Sequence, residues 1–165
     1  MWTIIKIERK KINFLKQDLL KKLGDETAFY NPKLLMQKYI NNKLYNKELD
    51  LLGDYFLCYH KDFERPETLK KVQFCRGLKY ILNGFTHSQN EIKDFINKCK
   101  KSENKNGYLS QSFFNLKLNN KYKFKSGPFA EKIFKIINFQ KNKIEIFMGK
   151  IKTTVDREKF LFQPI

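Results

Sequence analysis

The side chains best suited to chemistry are few and far apart. Cys58 and His60 stand two residues apart, so an extended strand would put both on one side. A thiolate and an imidazole are half of a zinc site, but no second ligand pair accompanies them. Cys75 and Cys99 are widely spaced, no C-x-x-C occurs, and the cysteine count of three is odd. The thiols therefore read as buried side chains, not as a disulfide framework or a metal site. His87 adjoins Ser88, but Ser88-Gln89-Asn90-Glu91 has the S-x-x-E form of a helix capping box. There is no P-loop, no G-x-G-x-x-G and no H-E-x-x-H. An enzyme needs a nucleophile, a base and donors for developing charge in one place. The expectation is a protein that is not an enzyme and needs no metal and no cofactor.

Charge is the stronger signal. Lys and Arg number 34 against 17 Asp and Glu, a formal net charge of +17. A field of that sign favours a polyanionic partner and salt-sensitive encounter with it. Of the basic residues 30 are Lys and four are Arg, and Asn and Ile occur 15 times each. Such usage fits an A/T-rich coding sequence, so part of the lysine is a solvated background. No apolar run reaches the length of a membrane span. The first eleven residues carry charges where a signal peptide is apolar. The expected location is cytoplasmic, with no membrane partner.

The elements that would carry these groups can be read from periodicity. Residues 2–8 alternate as a strand does. Ile12, Leu15, Leu19, Leu20 and Leu23 then fall on one helical stripe, flanked by lysines and ended by Gly24. Residues 28–45 read as extended, with Asn41-Asn42 supplying the positive φ angles of a tight hairpin. Leu51-Leu52-Gly53-Asp54-Tyr55 is a turn leading into the apolar strand 55–59. Pro66 suits the first turn of a short helix reaching about Phe74. Gly77 leads into a strand over 78–82, and the helix after Ser88 presents Ile92, Phe95, Ile96 and Cys99 on one face. Residues 100–110 are polar and lack a periodic apolar face, as a linker would. Short strands follow, with Lys141-Asn142 at a hairpin turn and Thr153-Thr154-Val155 in another strand. Several short strands in under about 50 residues suggest a small closed barrel. The fold class is α+β: an antiparallel sheet flanked by helices over 1–100, a linker over 101–117, and a small β-barrel over 118–165.

From Asn120 the chain reads Asn-Lys-Tyr-Lys-Phe-Lys-Ser-Gly-Pro-Phe-Ala-Glu-Lys-Ile-Phe-Lys-Ile-Ile. This resembles the KOW module, an SH3-like barrel, of NusG-type transcription elongation factors. Phe147-Met148-Gly149-Lys150-Ile151-Lys152-Thr153-Thr154-Val155 resembles that module's closing hairpin, and Phe160-Leu161-Phe162 its last strand. The first part resembles the NusG amino-terminal domain through Trp2 in a first strand, Leu51-Leu52-Gly53-Asp54-Tyr55 at a turn, and Arg76-Gly77-Leu78 after a short helix. Arg before that glycine is similar to the specialised RfaH-type branch. Thr3, Asp54 and Phe134 depart from the pattern, Phe134 at the place of a signature glycine, and point to a divergent member.

The resemblance implies a factor that binds RNA polymerase at its clamp, is monomeric outside that complex, and increases processivity or antitermination. The polymerase-binding patch carried over by position is Trp2, Leu51, Leu52, Tyr55 and Phe85. The RfaH-type branch implies contact with the non-template DNA strand through Arg9, Lys10, Lys70, Lys71 and Arg76. Lysines would set affinity and arginines could read guanine edges. The barrel would recruit a second partner, Rho or a small-subunit ribosomal protein, through Phe129, Phe147 and Ile151. An alternative is a KOW-containing RNA- or ribosome-binding protein. Phe129, Ile133, Ile136, Ile137 and Gln140 also stand at helical spacing, so a helical form of this segment stays open.

Overall fold

A computed structural model describes residues 1–165, the side chain of Tyr39 excepted. The chain forms two compact units that are not contiguous in sequence. The first comprises Met1–Pro32 and Asp50–Lys98, the second Lys33–Leu49 and Cys99–Ile165. This departs from the division expected at residue 100. Residues 33–49, assigned by sequence order to the first domain, pack with the second.

The first unit holds β1 (Trp2–Ile7), α1 (Ile12–Leu23), β2 (Ala28–Tyr30), then, past the inserted residues 33–49, Tyr55–Tyr59, Pro66–Val72 and Leu78–Ile81. With β3 (Lys33–Ile40) and β4 (Lys43–Asp50) placed by chain order, these last three are β5, α2 and β6. The sheet order is β2-β5-β1-β6, so β1 is central, as its alternation allows. In register, Ile5 faces Phe56 and Ile4 faces Leu57. Ile5, Ile7, Phe56 and Cys58 on one face are buried with Leu15 and Leu19 of α1, Val72 of α2 and Phe63 of the 3-10 turn Lys61–Glu64. Lys16 of α1 reaches over the Phe29 ring at 5.7 Å on that face. Gly24, at φ +88°, ends α1 with its N–H donating to Leu20 O. The α2 helix begins at Pro66 as expected but stops at Val72, short of Phe74.

The other face of this sheet is covered in part by α3 (Gln89–Ser102), whose Ile92 and Ile96 are buried. Hydrogen bonding explains its placement. β6 pairs with β1 only from Ile5 to Ile7. At Trp2 the Gln89 side chain takes the place of a neighbouring strand: Trp2 N–H donates to Gln89 Oε1 at 2.9 Å, and Gln89 Nε2 donates to Trp2 O at 2.7 Å.

The second unit contains β7 (Lys121–Phe124), β8 (Ile133–Phe139), β9 (Lys143–Met148), β10 (Ile151–Asp156) and β11 (Phe162–Pro164), in the antiparallel order β10-β9-β8-β7-β11. Gln140 and Lys143 exchange backbone hydrogen bonds across Lys141-Asn142 at 2.9 and 3.3 Å, which makes the expected two-residue hairpin turn. The core is aromatic and β-branched: Tyr122, Phe124, Phe134, Ile136, Ile144, Ile146, Val155 and Phe162. Phe134 lies within β8, and its ring is 4.4 Å from Phe124 and 5.1 Å from Phe162. A residue read by sequence as a departure in a contact loop is instead a central core side chain. Residues 133–139, which also fit helical spacing, are strand here.

The Ser126-Gly127-Pro128-Phe129 turn has a defined reason for its glycine. Gly127 sits at φ +80°, and a Cβ there would lie 2.3 Å from the Phe160 ring. Both the backbone angle and the close approach exclude a side chain. Ser126 Oγ accepts the Leu161 N–H at 2.7 Å, so the turn also fixes the chain just before β11. The strand itself starts at Phe162, leaving Phe160 as the lid on this turn and not the first strand residue.

The β3–β4 hairpin turns at Asn41 and Asn42, both at positive φ (50° and 58°). The strands on either side run from Lys33 to Ile40 and from Lys43 to Asp50, the second reaching five residues past the stretch read as extended. Gln37 anchors it to the same turn. Gln37 N–H donates to Lys125 O at 2.6 Å, and Gln37 Oε1 accepts the Gly127 N–H at 2.6 Å. Leu34, Met36 and Leu49 line an apolar cavity of about 300 Å³ with Phe114, Leu161, Phe162 and Pro164. Residues 101–117, expected as a linker, include the buried Leu109 and Gln111, and Gln111 Oε1 accepts the Phe162 N–H at 2.7 Å.

Candidate partner groove and nucleic-acid face

In the first unit, the face of the sheet shared with α3 is incompletely covered. Ile4, Leu52, Leu57, Ile92 and Phe95 line a groove of about 320 Å³ that is almost wholly apolar, with Ser88 and Glu91 at its margin. Leu52 reaches it from the turn before β5, which is held by Gly53 N–H to Asp50 O at 3.1 Å and Tyr55 N–H to Leu52 O at 3.1 Å. Beside the groove, β6, β1 and β5 bring Tyr80, Lys6 and Tyr55 into one cross-strand row. The two phenol oxygens are 3.0 Å apart, and Lys6 Nζ lies 4.4 Å from the Tyr55 ring centre. The hydrogen bond from Tyr80, and then Lys6, lowers the Tyr55 pKa; the same bond raises that of Tyr80.

Of the residues expected to bind polymerase, Trp2, Leu52 and Tyr55 are half-buried on or beside this face, and Leu51 is half-buried in the turn before β5. The Trp2 ring packs on Tyr59 at 5.4 Å. Phe85 is corrected: it is buried in the core of the first unit and is not available as a contact residue. Lys6, Tyr80 and Phe95 were missed. Their only sequence signal is alternation in residues 2–8 and 78–82 and the apolar stripe of the last helix, which places them on a face but does not say which face stays open.

The basic residues divide into two kinds. Lys10, Lys70 and Lys71 are exposed. The two arginines are committed to carboxylates. Arg9 Nε lies 2.6 Å from Asp54 Oδ1. Arg76 donates from Nε and Nη2 to both Asp18 oxygens, at 2.9 and 2.6 Å, and its backbone N–H donates to Asp18 Oδ2 at 3.0 Å. These hydrogen bonds hold the Asp18 carboxyl far below the usual carboxylate range. A guanidinium held in a fork by a carboxylate cannot offer the same two donors to a guanine edge. The expectation that Arg76 reads bases is corrected on that ground, whereas Arg9 is ion-paired through Nε to one Asp54 oxygen. The Arg76 guanidinium instead lies over the Phe14 ring at 4.9 Å.

The barrel residues also divide. Phe129 is half-buried and packs its ring 5.5 Å from Phe124, so it closes the core. Phe147 points outward, and its register partners on both sides are lysines, Lys135 and Lys152. Ile151 is paired with Met148, one residue out of phase with Phe147, and so lies on the opposite face of the β9–β10 hairpin. The expected trio is therefore not one patch. Ile133, Lys121 and Lys135 share a shallow surface with Phe147.

The Cys58 and His60 pair is structural. His60 Nδ1 accepts the Asp62 N–H at 3.2 Å and Nε2 bonds Leu23 O at 3.1 Å, so both ring nitrogens are used. Burial pushes the Cys58 thiol up to about 12. Among the described residues no group of three or more metal-ligating side chains comes together. No helix is long and apolar enough to cross a membrane.

Comparison with known proteins adds the following. No protein-family model and no curated protein matches the chain. Among solved structures, the chain is similar to one of the MjSpt4:Spt5 complex, with 14% identity, 100% of this chain and 98% of that chain covered, and a TM-score of 0.33. It is similar also to Thermotoga maritima NusG, in a structure describing its domain interaction, with 12% identity, 94% and 91% covered, and a TM-score of 0.35. Identities and scores this low assign the chain to no family.

Proposed function

We propose that the chain is a non-enzymatic transcription elongation factor of the NusG type, divergent and possessing RfaH-like features. It binds RNA polymerase at the clamp through the first unit and increases processivity or antitermination. The observation that carries this reading is the apolar groove of Ile4, Leu52, Leu57, Ile92 and Phe95 beside the Lys6, Tyr55 and Tyr80 row. An apolar groove whose walls include the half-buried Ile4, Leu52 and Phe95, beside a polar rim, has the form of a partner site. It stands where the sequence resemblance to NusG-type factors places the polymerase contact. The exposed Lys10, Lys70 and Lys71 then face the non-template strand. The barrel recruits a second protein, Rho or a small-subunit ribosomal protein.

A pull-down with purified core RNA polymerase tests this. The wild-type chain is expected to be retained, and Leu52→Glu to lose retention by at least about tenfold, since a charge would be desolvated in an apolar interface. Unchanged circular dichroism of the variant would separate lost contact from lost fold. Retention of Leu52→Glu equal to wild type would sink the reading. A second reading, an RNA- or ribosome-binding barrel, is favoured by one feature: Phe147 between Lys135 and Lys152 on an open sheet face. Binding of ribosomal RNA without polymerase retention would select it.

A further inference from the structure

The polar row beside the groove holds more hydrogen-bond donors than acceptors. Lys6 is half-buried on the middle strand, with Tyr55 and Tyr80 as its register partners on either side. An ammonium group brings three N–H donors and no acceptor, and each phenol brings one O–H. The two phenol oxygens, 3.0 Å apart, use one proton between them. The other phenol proton and most of the ammonium donors are left over. The acids nearby do not take them up. Asp54, next to Tyr55, pairs with Arg9 at 2.6 Å, and Glu8 pairs with Lys11 at 2.9 Å. No ion pair among the described residues includes Lys6. The row also adjoins the groove directly. Lys6 and Ile4 are two residues apart on β1, so they share a face about 7 Å apart. Ile4 and its register partner Leu57 both line the groove. A carboxylate flanks the groove as well. Glu91, exposed at its margin, is two residues beyond the Gln89 that bonds Trp2. Trp2 is four residues of β1 from Lys6, about 13 Å.

We infer that Lys6, Tyr55 and Tyr80 form a carboxylate-binding site, which takes an Asp or Glu side chain of the protein segment whose apolar side chains fill the groove. An ionised carboxylate only accepts hydrogen bonds, so it matches the spare donors in kind and Lys6 in sign. A half-buried ammonium is screened less by salt than an exposed one, so its choice of partner is stronger. The adjoining groove favours a protein segment over a nucleic acid, whose phosphates bring no aliphatic group to fill it. Glu91 repels a second acid at its own margin, so the two charges give the bound segment one direction. This deepens the polymerase-binding part of the proposed function and rests on it. Apolar contact supplies affinity, and the row selects which apolar segment is accepted.

The affinity of the full chain for purified core RNA polymerase tests it, measured at about 0.1 M and about 0.5 M salt. Lys6→Met keeps most of the stem and removes the charge. It is expected to weaken binding about tenfold at the lower salt and by less at the higher. Lys6→Arg should keep most of the affinity, and Tyr80→Phe, which removes one O–H, should cost about threefold. Tyr80 is exposed, so that variant keeps the test open should Lys6→Met disturb the sheet in circular dichroism. Equal affinity of wild type, Lys6→Met and Tyr80→Phe overturns the inference and leaves the polymerase reading standing, provided Leu52→Glu still loses retention. Equal losses in Lys6→Met and Lys6→Arg, with the salt dependence of wild type, also overturn it, because the stem and not the charge would then act. No retention of the wild-type chain removes both. Unchanged polymerase affinity of Lys6→Met with weakened binding of labelled oligo(dT) would assign the row to phosphate and overturn the inference.

Discussion

The two sheets treat their second face differently. In the first unit, β1 alternates half-buried and buried residues, because helices lie on one side and α3 covers part of the other. In the second unit, β8 begins with exposed and buried residues in alternation, and its outward residues Ile133 and Lys135 are exposed. The same period-two pattern therefore produces two kinds of surface. A partly covered face yields an apolar groove with a defined shape. An uncovered face yields an aromatic side chain among lysines, Phe147 between Lys135 and Lys152, with no enclosing wall. The first form suits a protein element that fills a groove; the second suits a ligand that lies flat.

The comparison can be broken most directly inside the second core. Phe134→Ala should destabilise the second unit by about 3–5 kcal/mol, since its ring stacks on Tyr122 and touches Phe124 and Phe162. Urea unfolding followed by fluorescence should show this loss. A cost below about 1 kcal/mol would mean that Phe134 is not the centre of that core. Gly127→Ala comes next, at about 1–3 kcal/mol, because the new Cβ would meet the Phe160 ring. Gly149→Ala is its control: φ is +64° there, but a Cβ would find open space, so only the backbone term remains. Equal costs at the two glycines would remove the role given to Phe160.

A smaller effect sharpens the contrast between the faces. Phe147→Ser should change stability by no more than about 0.5 kcal/mol, as expected for an outward side chain away from the core. A larger loss in chemical denaturation would mean that something covers that face. The smallest effect concerns Asp18. Its folded pKa is depressed by Arg76, so the ion pair adds stability above the unfolded carboxylate value of about 4, and that contribution fades as pH falls below it. The stability difference between wild type and Asp18→Asn should be constant from neutral pH to about 5 and shrink on further acidification. A pH-independent difference would show that the pairing does not act through charge.

Much of the local structure was legible. Alternation over residues 2–8 marks the central strand, Pro66 and Gly24 mark helix limits, and Asn41-Asn42 marks a hairpin whose asparagines do take positive φ. These signals are local, set by one residue's backbone preference or by a short run of side chains. The candidate groove was legible in part: Leu52 was visible as an apolar residue at a turn, whereas Lys6, Tyr80 and Phe95 were not separable from ordinary strand and helix positions. Phe85 shows the limit, because an aromatic in a turn-rich stretch reads the same whether it is buried or displayed.

The sequence alone determined the alternation of apolar and polar residues, the turn positions, the excess positive charge and the absence of a catalytic motif. Only the tertiary structure decided which charges and which faces are free. Arg9 and Arg76 count as two positive charges in the sequence, but Asp54 pairs with the first and Asp18, distant along the chain, takes up several donors of the second. Phe147 and Ile151 are near neighbours in sequence, but hairpin register sends them to opposite faces. Residues 33–49 lie early in the chain, but Gln37 bonds them to the turn at Gly127. Each of these outcomes depends on a partner brought close by folding, and no preference of the residue itself encodes that partner.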